Sequence, residues 1–147
     1  MKRLCDIVTV TIIRASCANT LLEWHKRSGL ATTNIAAFYD AADKTVIIRN
    51  DLMPEWEVKS ELHELGHAFY HQETRSNPRN AQNEAFACAC ELSQMAMSVD
   101  DAADLIDLGI EKLDSIKQGY PYPIDMTTID RDALIALMRK LLERLSE

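Results

Sequence analysis

A chain of 147 residues is the length of one domain, and it can bury most of the surface that its unfolded form exposes. Its net charge of −7 argues against direct binding of nucleic acid, because phosphate recognition needs clustered Lys and Arg. With 47% hydrophobic residues it has the composition of a folded globular protein, and no apolar run approaches the ~20 residues of a bilayer-spanning helix.

The first segment, MKRLCDIVTVTIIRASCA, has the outline of a secretory leader: Lys2 and Arg3, an apolar run, then small residues. Asp6 precedes that run, however, threonines dilute it and Arg14 ends it. A first helix or strand packed on the core is the stronger expectation, with the chain in the cytoplasm. The cysteines Cys5, Cys17, Cys88 and Cys90 form no CxxC pair, and they are read as reduced small hydrophobes.

Residues 14–28 predict a helix that stops near Gly29, and His25 within it carries no assigned role. Two short strands follow, about 35–39 and 45–49, the second holding Val46, Ile47 and Ile48; the Asp-Ala-Ala-Asp link between them suits a hairpin. Pro54 suits the first turn of the next helix, and Val58, Leu62, Leu65 and Phe69 recur along one face of it as far as about Gln72. A stripe of Ala85, Cys88, Leu92 and Met95 predicts a helix from about Ala81 to Met97. Ser98 with Asp101 marks another start, with Ala102, Ile106, Gly109, Leu113 and Ile116 on one face and Gly119 at the end. YPYP at 120–123 is a linker, and Thr127 with Asp130 opens a last helix carrying Leu134, Met138, Leu141 and Leu145. The expected fold is α+β and mostly helical, with a small antiparallel sheet beside the helix of residues 55–72. It forms a single domain with a core at about 30–97 and a helical extension at 98–147.

The chemistry lies in ELHELGHAFYHQE, residues 61–73, which holds three of the four histidines. His63 and His67 are one helical turn apart, so their Cβ atoms lie about 5–6 Å apart on one face, off the apolar stripe. Two imidazoles so placed can reach one Zn²⁺, and Glu64 beside the first can accept a proton from the metal's water. Gly66 permits a close backbone approach. His71 lies about 12 Å from His63 along the axis, too far to share the ion, and serves instead as a second donor or substrate contact. The third ligand is expected on the next helix. Glu84 is the leading candidate, Glu91 its competitor one heptad later, and Cys88 a weaker alternative; Asp100 and Asp101 look like caps. Tyr70 and His71 are the candidates for stabilising an oxyanion, although Tyr70 also sits near the apolar face.

In order, KTVIIRNDL, HELGHAFYH and EAFACACEL resemble the ImmA/IrrE family of zinc metallo-endopeptidases over residues 35–97. The family pattern is met at Glu84, Ala85, Ala89, Glu91 and Leu92. It departs where Phe86 stands for the usual Asn, where Cys88 stands for the usual Phe, and where SQMAM lacks the usual Met-Pro ending. The resemblance implies a zincin-like fold, with His63, His67 and Glu84 as zinc ligands and Glu64 as catalytic base. It also implies a protein or peptide substrate such as a transcriptional repressor; the family often carries a helix-turn-helix domain, and no DNA-binding segment is read in this sequence. The alternative is a zinc-containing, non-catalytic binding module, docking a regulator through the 102–116 and 134–145 stripes. A fourth protein ligand would favour that reading; an open coordination position would favour the enzyme.

Overall fold

The computed structural model describes residues 2–29 and 35–147. The N-terminal segment is both a helix and a strand. Leu4–Ile7 forms a single helical turn, α1, and Thr11–Ala15 forms strand β1. Helix α2, Cys17–Ser28, begins at Ser16, whose side chain accepts from the Asn19 N–H, and ends on Gly29 at φ 68°. The expected helix start at residue 14 is thus corrected: Arg14 and Ala15 belong to β1.

The hairpin is present as β2, Ala37–Asp40, and β3, Thr45–Arg49. The sheet is not purely antiparallel, because β1 adds to β3 in parallel, giving a three-stranded mixed sheet in the order β1-β3-β2. Such a pairing needs a long crossover, here through α2 and β2, and no local pattern announces it. Val46, Ile47 and Ile48 are all buried, so both faces of the sheet are covered. Phe38 sits opposite Ile47 and meets Trp24 of α2 edge-on at 5.4 Å. Val46 and Ile48 join Leu62, Leu65 and Phe69 in the core on the other face.

Those leucines and Phe69 belong to α3, Pro54–Thr74, a helix of about 30 Å. Val58, at the start of the expected stripe, is 47% exposed, so the buried face begins one turn later. Helix α4, Ala81–Cys90, is almost wholly buried and starts at Asn80, whose side chain accepts from the Asn83 N–H. It stops seven residues before the expected end. Ser93 Oγ donates to the Cys90 carbonyl at 2.8 Å, a 3-10 turn takes over at Ser93–Met95, and Met95 turns outward.

Gly66 sets the spacing of α3 and α4: a Cβ there would lie 2.9 Å from Cys90 Cβ and 3.0 Å from Ala87 Cα. Gly109 does the same for α4 and helix α5, Ala102–Ile116, since its Cβ would lie 2.7 Å from backbone atoms of Ala85 and Ala89. The Ser98–Asp101 capping box starts a 3-10 turn that runs into α5. The last helix, α6, Arg131–Ser146, is capped by Asp130 rather than started by Thr127, which lies in a preceding 3-10 turn. Leu105, Ile106 and Leu113 of α5 and Leu134, Met138, Leu141 and Leu145 of α6 are buried within the chain, while Ile116 at the end of the α5 stripe is exposed. One hydrophobic cluster runs from Leu4 to Leu145. Among the described residues, no helix is long and apolar enough to cross a membrane.

Candidate metal centre

The helical spacing brings His63 and His67 side by side on α3, ring centroids 5.0 Å apart. Because Gly66 lets α4 approach closely, Glu84 in its first turn reaches both. Glu84 Oε1 lies 3.2 Å from His63 Nε2 and 3.0 Å from His67 Nε2. The three ligand atoms all lie within 4.8 Å of one another. Ligands held about 2.0–2.1 Å from a tetrahedral ion are about 3.3 Å apart. His63, His67 and Glu84 are positioned to bind a metal ion.

The other nitrogens of the two rings test that fit. His67 Nδ1 faces Asn83 Oδ1 at 2.9 Å. The Asn83 amide cannot be turned round, because its Nδ2 donates to Asn77 Oδ1 and to the Pro78 carbonyl, both at 2.9 Å. An acceptor therefore faces Nδ1, which must carry the proton. His63 Nδ1 likewise faces Glu91 Oε2 at 3.0 Å. In each neutral ring the proton sits on Nδ1, so both Nε2 lone pairs point at the carboxylate oxygen. Three converging lone pairs make a cation site, and the acceptor behind each imidazole is the arrangement that fixes a ligating tautomer.

The electrostatics agree. Burial opposes charge on His63, but hydrogen bonding with Cys88, Glu84 and Glu91 outweighs it and lifts the group well above its usual value. Burial likewise opposes charge on His67, and the Glu84 carboxylate overcomes it, raising that group too. Burial also penalises the Glu84 carboxylate, yet the imidazoles hold it well below the usual range. The site favours positive charge at its centre, whether from protons on the rings or from a cation.

Glu64 differs from its neighbours. It is buried, its Oε2 has no hydrogen-bond partner among the described residues, and burial pushes its carboxyl up to about 7. It lines a cleft of about 770 Å³ together with His63, His67 and Glu84. A buried carboxylate oxygen without a partner is rare and costly, and such atoms cluster where chemistry is done.

Glu91 is not a surface residue: besides His63 it bonds Lys112 Nζ of α5 at 2.5 Å. The structure thus separates the two candidate glutamates, Glu84 inside the ligand set and Glu91 behind His63. Cys88 groups with His63 and Glu91, and the His63–His67–Glu84 set has no fourth member among the described His, Cys, Asp and Glu residues. Tyr70 and His71 are not among the cleft-lining residues. Tyr70 packs against Phe86 at 6.1 Å, and His71 Nδ1 meets the Tyr39 hydroxyl at 2.8 Å. In their place the cleft presents Tyr120 and Tyr122 from the YPYP segment, with Tyr122 Oη donating to Glu84 Oε2 at 3.0 Å. Burial, and after it the Glu84 charge, push both phenols upward. The sequence signal for them was present but unused: two bulky aromatics, each locked before a proline, are an unusual choice for a plain linker. Asn83 carried no signal beyond its place beside Glu84.

Compared with protein-family models, with curated proteins and with solved structures, the chain has no significant match.

Proposed function

We propose that this chain is a zinc-dependent endopeptidase of zincin-like fold, akin to the ImmA/IrrE family and acting on a protein or peptide in the cytoplasm. The observation that carries the reading is the buried, unpartnered Glu64 beside a three-ligand cation site that opens on a cleft. Two imidazoles and one carboxylate are the donor set zinc takes in catalytic sites, where a fourth position is left for water. When bound, the metal would polarise the scissile carbonyl and make its water acidic enough to ionise near neutral pH. Glu64 takes the proton of the attacking water and passes it to the leaving amine, the task of a general base beside the metal ligands. The absence of a fourth member in that ligand group supports the enzyme over a non-catalytic zinc module.

The substrate's path follows from the sheet. Val46–Arg49 lies in the middle strand β3, paired on both sides, so it offers no free edge to an extended peptide. Among the described residues, the free edge beside the cleft is β2. Arg49 N–H donates to the Ala36 carbonyl, and bonding alternates along an antiparallel pair. Phe38 and Asp40 therefore bond to β3, while the backbone groups of Ala37 and Tyr39 turn toward the free edge. A peptide laid there adds a strand along the cleft wall.

The test pairs metal analysis with cleavage of an unstructured protein such as casein. The expected result is one zinc per wild-type chain, and for Glu64→Gln the same zinc content with cleavage lower by about 10²–10⁴-fold. Full activity in Glu64→Gln, or a zinc-free wild type that still cleaves, would overturn the proposal.

A further inference from the structure

The Glu84 carboxylate has two oxygens and two different tasks. Oε1 faces both imidazoles, and Oε2 accepts from Tyr122 Oη at 3.0 Å. The residue is 3% exposed, so solvent cannot stand in for either partner. A carboxylate bound to a metal through one oxygen must keep the other occupied, or it turns about its last bond and offers both.

The phenol that occupies Oε2 is held firmly. Tyr120 and Tyr122 each precede a proline, which restricts both to extended backbone, and Tyr120 has φ −77° and ψ 145°. Their rings lean on one another with centroids 5.6 Å apart. Both lie some 36 residues or more beyond Glu84 in sequence, past α5. That helix makes a second connection of the same kind, because Lys112 bonds Glu91, which bonds His63. Two of the three ligands are thus oriented through side chains that lie beyond residue 97.

We propose that Tyr122 is a positioning residue for the metal ligand Glu84, holding its carboxylate to one-oxygen coordination, so that the helical extension completes the metal centre. The inference rests on the zinc-site reading above. Losing a partner behind a ligand typically weakens metal binding by about 10–100-fold.

The experiment compares wild type with Tyr122→Phe, which removes one oxygen and keeps the ring. Zinc affinity is measured by competition with a chromophoric chelator, the Co²⁺-substituted proteins are compared by visible absorption, and the metal-free proteins by thermal unfolding. The expected result is zinc binding weaker by about 10–100-fold, a Co²⁺ spectrum altered in band position or intensity, and matching metal-free unfolding midpoints. Equal zinc affinity with an unchanged Co²⁺ spectrum overturns the positioning role alone, leaving the metal site intact. A metal-free Tyr122→Phe that melts far below wild type makes the phenol a fold-holding group and also overturns it. A wild type that binds no zinc brings down this inference and the metal-site reading together.

Discussion

Helix α3 carries two glutamates nine residues apart, Glu64 buried and Glu73 half-buried, and they have opposite surroundings. Glu64, at the cleft, has an oxygen with no partner among the described residues, and burial pushes its carboxyl up to about 7. Glu73, near the far end, meets Lys140 Nζ at 2.6 Å and Arg144 Nη1 at 3.1 Å from α6, and these cations outweigh burial and lower its carboxyl. Arg144 also donates to the Ile7 carbonyl, which ties the N-terminal segment to the last helix. What separates the two is burial together with the charges that neighbouring elements bring: Glu64 is buried without a cation that outweighs the penalty, whereas Glu73 meets two. The end near Glu73 is held by ion pairs to α6, and the end near Glu64 carries the destabilising burial of a carboxylate.

The comparison can be broken most sharply at the cleft end. On the proposed zinc reading, His67→Ala removes a ligand and should drop zinc from the expected one per chain to under about a tenth, with the helices retained by circular dichroism, since the rest of the core is untouched. Loss of the whole fold would mean that the two ends are not independent.

Glu64→Gln in the metal-free protein should raise stability, the reverse of the usual cost of losing a charge. A carboxyl raised from about 4.5 in the unfolded chain to about 7 when folded binds more protons in the native state. Its penalty is absent below about pH 4.5, grows between the two values, and saturates above about pH 7, at up to about 3 kcal/mol. Glu64→Gln should accordingly melt above wild type at pH 8, with the gain vanishing near pH 4. A lower melting point at pH 8 would show that Glu64 is satisfied after all.

At the other end Glu73→Gln should cost about 2 kcal/mol, roughly 4–8 °C in melting temperature. Here the folded carboxyl lies below its unfolded value. The contribution is thus present above about pH 4.5 and lost as pH falls through the folded value. The gap between wild type and Glu73→Gln should close on acidification, opposite in sign to Glu64→Gln. Lys140→Met should have the smallest effect, under about 1 kcal/mol, because that partner is largely exposed and Arg144 stays in place. A larger loss would make the Lys140 pair the dominant one at this end.

Legibility from sequence followed the range of each contact. His63, Glu64 and His67 could be placed from residue numbers because helical spacing is a local rule. Gly66 was placed in the same way, as a small residue where another helix comes close. The α4 end at Cys90 was missed because no Gly or Pro marks it; a single Ser93 hydroxyl taking a carbonyl ends the helix instead. Strand β1 is not legible locally, because its parallel partner lies beyond a helix and another strand.

The chain's residues by themselves determined that an HExxH helix exists and that a helix bearing Glu84 follows it. Only the tertiary structure decided that Glu84 joins the imidazoles while Glu91 stands behind His63, and that Tyr122 rather than His71 faces the site. Helix periodicity constrains neighbours a turn apart, whereas these pairings join residues 17 to 38 positions distant, and only the packing of α3, α4 and the extension brings them together.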